Sequence, residues 1–286
     1  MQIIKANILG YCMGVRRAID KALDKAENHH GKKIFTLGPL IHNPRVIEHL
    51  KNLGIDILDD KNLTESLEGA IVIIRAHGIS PALEETLKEK QAEIIDATCP
   101  RVKANQLKAR KFSAEGYTVF LAGEKHHGEI IGLQGYAPGC IVVENADEAA
   151  SEAEALYKKN PSINCVLIGQ TTISQKEYDT IGKEIQSYFS NLAIVDAICN
   201  ATTERQEALR ELCLQTDALI IAGSKTSANT KRLLKIAEDM EKPAWLVESK
   251  NDLPPEMSQY KKVGISAGAS TPEEVIREIE EALSLN

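Results

Sequence analysis

The stretch Ile94-Ile95-Asp96-Ala97-Thr98-Cys99-Pro100 returns one hundred residues later as Ile194-Val195-Asp196-Ala197-Ile198-Cys199-Asn200. Each copy is a short apolar, β-branched run that ends in Asp-Ala-x-Cys and feeds a helix-like segment. A looser third copy opens the chain: Ile3, Ile4 and Ile8 precede Cys12, and Val15 to Ala26 again reads as helix. A repeat of this length constrains the fold more than any single motif, because each copy must build the same unit.

Other features recur in phase with the cysteines. After each Cys-helix an apolar strand ends in glycine, at Gly38, Gly123 and Gly223, which lie 26, 24 and 24 residues beyond Cys12, Cys99 and Cys199. Four residues after each glycine stands His42, His127 or Ser227, and soon after it Asn43, Glu129 or Asn229. A helix follows, then a strand (IDILDD, CIVVEN, AWLVES), then a strand with a polar end (IIRAHGIS, LIGQTTIS, GISAGAST). The third copy runs out at the helix over Pro272 to Leu285, and residues 1–12 supply its missing strand. The natural units are therefore 13–98, 99–198, and 199–286 completed by 1–12. Alternating strands and helices imply parallel α/β sheets with right-handed crossovers. The permuted repeat predicts three similar α/β lobes about a pseudo-threefold axis; one continuous doubly wound sheet is the alternative.

Composition removes several classes of function. Thirty-four Lys and Arg against 41 Asp and Glu leave a net charge of -7, and aromatics are 4%. Nucleic-acid binding calls for a basic stripe and stacking platforms, so it is not expected. No run approaches the about 20 apolar residues that span a bilayer. The N-terminus lacks the pattern of a signal peptide, so the expected compartment is the cytoplasm. Six cysteines without export favour thiols, metal ligands or a catalytic residue over disulfides.

Ligands of parallel α/β sheets bind beyond the carboxyl ends of the strands. Cys12, Cys99 and Cys199 all stand there, each before a helix whose dipole favours the thiolate. Lobes sharing an axis would aim the three at one point, making a three-thiolate metal site. Cys140, Cys165 and Cys213 fall out of phase and read as small core residues. No fourth cysteine keeps the phase, whereas a structural zinc would be closed by a fourth ligand. A [4Fe–4S] cluster with one iron lacking a protein ligand would instead be a Lewis acid that delivers electrons.

The remaining repeated strand ends supply His42, His77, His127, Thr171, Ser227, Asn229 and Ser270, a set suited to a phosphate or diphosphate near helix N-termini. Glu129 is the carboxylate among them. Beside an anion and a metal cluster it would hold its proton more tightly, which suits a proton donor; the plain alternative is a helix-start acid. Gly223-Ser224-Lys225-Thr226 has the wrong order for a P-loop, and no G-x-G-x-x-G follows a strand. Another cluster-dependent dehydratase, and a non-catalytic phosphosugar-binding or metal-sensing protein with structural zinc, remain alternatives at this point.

Taken together, GYCMGVRRAI, His42-Asn43, RAHGIS, DATCP, HGE at 127–129, QTTIS, CNATTERQEA, GSKTSAN and SAGAS make the chain resemble the LytB family of 4-hydroxy-3-methylbut-2-enyl diphosphate reductases. The resemblance covers essentially the whole chain. It implies a cloverleaf of three α/β lobes around a central [4Fe–4S] cluster on Cys12, Cys99 and Cys199, with the substrate's allylic hydroxyl on the open iron. It implies a diphosphate held by His42, His77, His127, Ser227, Asn229 and Ser270, proton supply by Glu129, and hydroxyl orientation by Thr171. Products would be isopentenyl and dimethylallyl diphosphate, the last step of the methylerythritol phosphate route, with electrons from ferredoxin or flavodoxin. The open iron is expected to be lost first in air, leaving [3Fe–4S] or no cluster. One departure is Ala228, where relatives often carry serine; its backbone N–H would be the remaining contact.

Overall fold

The first strand of the chain, β1 (Gln2–Lys5), pairs with one of the last, Lys262–Ala267, in parallel register from Gln2 opposite Lys262 to Lys5 opposite Ile265. This is the computed structural model of the protein, and it describes residues 1–28, 31–59, 63 and 66–285. Next come α1 (Met13–Asn28), β2 (Ile34–Leu37), α2 (Pro44–Asn52), β3 (Ile55–Leu58), β4 (Ile71–Ile74), α3 (Pro81–Glu89) and β5 (Glu93–Asp96). After Cys99 follow α4 (Pro100–Ala114), β6 (Thr118–Ala122), α5 (Gly128–Tyr136), β7 (Ile141–Val143), α6 (Ala146–Lys159), β8 (Cys165–Gly169), α7 (Gln175–Gln186) and β9 (Ala193–Ile194). After Cys199 the chain forms α8 (Asn200–Gln215), β10 (Ala218–Ala222), α9 (Ala228–Asp239), β11 (Ala244–Val247), two short 3-10 turns, β12 (Lys262–Ala267) and α10 (Glu273–Ser284).

These strands make three four-stranded sheets, ordered β3-β2-β4-β5, β7-β6-β8-β9 and β11-β10-β12-β1, with every pairing parallel. The order is the same in each, and the third sheet reaches it only by borrowing β1. Three α/β lobes are therefore present, in place of one continuous sheet. The interior strands β4, β8 and β10 are buried at every residue. Such strands, covered by helices on both faces, read as unbroken apolar runs. Edge strands β1 and β3 each carry two exposed residues.

Local signals set the element ends. Ser174 and Glu177 form a capping box at α7, and Ser80 caps α3 ahead of Pro81. Pro100 opens α4, where its missing N–H costs nothing. Pairing of β1 stops at Lys5, well before Cys12, because the chain turns at Gly10, whose φ of 75° lies in the left-handed region. Of the expected strand over 55–60, Ile55–Leu58 pairs with β2, and residue 60 lies outside the described residues.

Two compact units result. One consists of Met1–Arg16, Ile41–Leu50 and Asn200–Asn286 and carries the third sheet; the other consists of Arg17–Leu40 and Lys51–Cys199 and carries the first two. Among the described residues no helix is long and apolar enough to cross a membrane.

Candidate active site

In each sheet the chain moves from its first strand outward to one edge, then returns to the other side. The strand order thus reverses between β2 and β4, between β6 and β8, and between β10 and β12. Carboxyl ends at such a reversal splay apart and leave a crevice for ligands. The glycine that ends each first strand shapes this crevice. The N–H groups of Gly38, Gly123 and Gly223 bond to Leu58, Val143 and Val247 carbonyls at 2.9, 3.0 and 2.9 Å. Gly223 adopts φ 149°, and a Cβ there would lie 2.8 Å from the Thr230 and Thr271 hydroxyls. Only glycine fits such a turn.

In the larger unit, the turn after Gly123 ends at His127, which caps α5. Its Nδ1 accepts from the Glu129 N–H at 3.2 Å, so Nε2 carries the ring proton of the neutral imidazole. The His77 and His127 rings meet edge to face, with centroids 5.1 Å apart. Glu129 is only 1% exposed and turns inward. Its Oε1 accepts from the Thr171 N–H and its Oε2 from the Thr171 hydroxyl, both at 2.8 Å. A buried carboxylate is expensive without such partners. Thr171 is also tied to a cysteine, because its carbonyl accepts from the Cys199 N–H at 3.0 Å. One residue thus joins the only carboxylate of the set to a candidate metal ligand.

In the smaller unit, Ser227 caps α9 with its hydroxyl, accepting from the Thr230 N–H at 3.4 Å, and Ala228 and Asn229 form the first turn. All three are buried. The Asn229 Nδ2 is enclosed and has no hydrogen-bond partner. Ser270 donates to the His42 carbonyl at 3.2 Å, and Asn43 caps α2 by accepting from the Val46 N–H.

The three in-phase cysteines share one backbone setting. The N–H groups of Cys12, Cys99 and Cys199 bond to the carbonyls of Ala269, Ala76 and Thr171 at 3.1, 2.9 and 3.0 Å. Each is half-buried at the start of a helix of 15 or 16 residues. Cys165 and Cys213 are buried in the apolar core, and burial pushes the Cys165 thiol up to about 11. Burial also raises Cys140 and Cys213. Among the described residues, which include all six cysteines, none forms a disulfide. Next to Cys12, burial and then the Glu274 charge push Tyr11 up to about 12.

These bonds also correct the phase of one residue. Thr171 corresponds to Ala76 and Ala269, while His77 and Ser270 correspond to Thr172. Thr171 is therefore the single hydroxyl at its position. Residues overlooked in the sequence include Arg75, packed over Gly38 and 3.5 Å from where a Gly128 Cβ would stand. Asn105, Gln106, Arg205 and Gln206 were overlooked as well, all buried on the Cys-helices. They recur six and seven residues after Cys99 and Cys199, a phase that could have revealed them.

The profile described as LytB protein matches residues 3–284. A 4-hydroxy-3-methylbut-2-enyl diphosphate reductase of Treponema denticola is 46% identical over 99% of this chain and 99% of its own length. One of Aquifex aeolicus is 40% identical over 98% of this chain and 94% of its own. Among solved structures, the E-1-hydroxy-2-methyl-but-2-enyl-4-diphosphate reductase of Plasmodium falciparum superposes with a TM-score of 0.89 at 30% identity, covering 98% of this chain and 87% of its own. A second, described as (E)-4-hydroxy-3-methyl-but-2-enyl diphosphate reductase, the terminal enzyme of the non-mevalonate pathway, gives 0.71 at 37% identity, with 100% of both chains covered.

Proposed function

The chain belongs to the LytB protein family, and from that premise we infer that it reduces 4-hydroxy-3-methylbut-2-enyl diphosphate. The allylic hydroxyl leaves as water at the expense of two electrons and two protons, giving isopentenyl and dimethylallyl diphosphate. This is the terminal step of non-mevalonate isoprenoid precursor synthesis, and the chain is an iron–sulfur oxidoreductase. The observation that carries the reading is the buried Glu129–Thr171 pair, joined through one peptide to Cys199. It places a buried acid one peptide away from a candidate cluster ligand, and removal of a hydroxyl needs an acid nearby to supply the proton.

Cys12, Cys99 and Cys199 would hold a [4Fe–4S] cluster. The donor set fits: three unbridged, half-buried thiols at helix N-termini, in matching backbone settings. When bound, the cluster supplies Lewis acidity at the iron without a protein ligand, and the electrons. Air exposure would leave [3Fe–4S] or strip the site. His42, His77, His127, Ser227, Asn229 and Ser270, with the Ala228 N–H, bind the diphosphate. The enclosed Asn229 Nδ2 supports this, since a buried donor without an acceptor is costly unless a ligand supplies one. His127 contributes through Nε2, because Nδ1 is occupied by its own helix. Glu129 supplies protons to the departing hydroxyl, and Thr171 orients that hydroxyl.

The chain carries no flavin or nicotinamide motif, so ferredoxin or flavodoxin would deliver the electrons. The three units are read as 13–98, 99–198, and 199–286 with 1–12, in a cytoplasmic protein. The test is iron and acid-labile sulfide per chain after anaerobic purification, followed by consumption of the hydroxylated diphosphate with a chemical reductant. About four of each, lost in Cys12→Ser, Cys99→Ser and Cys199→Ser, is the expected result. Zinc without sulfide, or no product from a loaded enzyme, would overturn it.

A further inference from the structure

The peptides that carry the three cysteines are held from a second direction, by arginines on the Cys-helices. Arg17 of α1 donates Nη1 to the Thr98 carbonyl at 2.9 Å. Arg101 of α4 donates Nη2 and Nε to the Ile198 carbonyl at 2.6 and 3.1 Å, and Nη2 also to Asp196 Oδ1 at 2.8 Å. Arg205 of α8, 2% exposed, donates Nη2 to the Gly10 carbonyl at 2.9 Å and Nη1 to Ala267 at 2.8 Å. The helix that starts at one cysteine therefore grips the loop that ends at the next, in the order 12 to 99, 99 to 199, and 199 to 12. Two lysines follow the same cyclic order: Lys21 reaches the Asp96 carbonyl at 2.7 Å and Lys108 the Asp196 carbonyl at 3.2 Å, each nine residues beyond its cysteine, where the third copy has Ala208.

The consequence is geometric. The peptide joining Thr98 to Cys99 is pinned at both ends, its C=O by Arg17 and its N–H by the Ala76 carbonyl. The Ile198–Cys199 peptide is pinned in the same way by Arg101 and the Thr171 carbonyl. Once a peptide plane is fixed, the following Cα is set in place, and the thiol keeps only the rotations about φ and χ1. At Cys12 the arginine acts one peptide earlier, on Gly10. Guanidinium suits this task, because it stays charged and offers several donors in a rigid fork.

We propose that Arg17, Arg101 and Arg205 are positioning residues for Cys99, Cys199 and Cys12 respectively, holding the three thiolates ready before the cluster arrives and keeping positive charge beside it afterwards. This rests on reading the three cysteines as cluster ligands. A single arginine on a loop carbonyl is ordinary; here three, at different positions on their helices, are each addressed to the loop before a different in-phase cysteine.

The experiment reads each pairing separately. In the apoprotein, alkylation by iodoacetamide is followed at every cysteine by peptide mass spectrometry for Arg17→Gln, Arg101→Gln and their Lys counterparts. Loss of a charge-assisted hydrogen bond should change the rate roughly tenfold. Arg17→Gln should change Cys99 alone, Arg101→Gln should change Cys199 alone, and lysine should restore part of the parent rate. In anaerobically loaded protein the same Gln variants should lose iron to a chelator faster and shift the midpoint potential to more negative values. Arg205 is buried, so Arg205→Gln is scored only if its circular dichroism matches the parent; Arg17 and Arg101 decide the outcome. Equal rates at all three cysteines, or a uniform rise that follows a lower Tm with unchanged potential, would overturn the proposal. A parent that binds no iron–sulfur cluster would sink the functional reading instead, and the apoprotein rates would still decide whether the arginines position the thiols.

Discussion

Glu129 and Asn229 stand at the same place in two copies of one unit, six residues beyond Gly123 and Gly223 and in the first turn of α5 and α9. Both are buried. Yet Glu129 has each oxygen occupied by Thr171, whereas the Asn229 Nδ2 has no acceptor. One copy is internally satisfied and holds an acid in place; the other keeps a buried donor without an acceptor, as the proposed diphosphate site would need. The lesson is that the repeat fixes where a side chain stands, and a single change of residue decides whether its polar atoms are satisfied within the lobe or left open.

Glu129→Gln breaks the first half of the contrast most severely. It keeps the shape and removes the proton source, so turnover should fall about 10²- to 10⁴-fold with cluster content unchanged; single-turnover kinetics on loaded enzyme would check it. Asn229→Ala attacks the other half. Affinity for inorganic pyrophosphate, measured by calorimetry on the apoprotein, should drop on the order of tenfold or more, with little change in that of Glu129→Gln. Thr171→Val leaves the N–H bond to Glu129 Oε1 but removes the hydroxyl on Oε2. A roughly tenfold loss of kcat, recovered by Thr171→Ser, is expected. Ala228→Ser sharpens the comparison gently: adding a hydroxyl at the start of α9 should tighten pyrophosphate a few-fold, read by the same calorimetry.

The smallest effect concerns Asp96 and Asp196, which precede Cys99 and Cys199 in the same phase. Burial raises the Asp96 pKa, but bonds from Thr98 and the Lys103 ammonium outweigh it and hold the carboxyl below the ordinary aspartate range. Its stabilising contribution is therefore complete above the unfolded value and fades as pH falls through the lower folded one. Asp96→Asn should show a shallower loss of apoprotein stability on acidification below about pH 4 than the parent. Urea titrations at several pH values would show it.

Much of this was legible beforehand. The strands reading IIDATC and AIVDAIC, the glycines after each first strand and the borrowed N-terminal strand all follow from periodicity and phase. Parallel sheets then place their ends, so the cysteines and Glu129 could be singled out. What stayed hidden were contacts whose residues look ordinary locally. Arg17 and Lys21 read as the solvated face of an amphipathic helix, and nothing local says that a carbonyl 75 to 81 residues later will accept from them. Arg75 stands in IIRAHGIS, a strand with a polar end, where nothing local marks it. Its place over Gly38 arises only when β2 and β4 are neighbours.

The pairing of β1 with β12 joins residue 2 to residue 262. On a ribosome adding roughly 5 to 20 residues per second, the first strand waits most of the synthesis time for its partner. The third sheet cannot close, and the Cys12 N–H cannot meet the Ala269 carbonyl, until the chain has been translated past Ala269. A prematurely terminated product can therefore build the first two sheets and still lack a seated third thiol. If the three cysteines hold the proposed cluster, its ligand set is therefore complete only in chains long enough to close the third sheet.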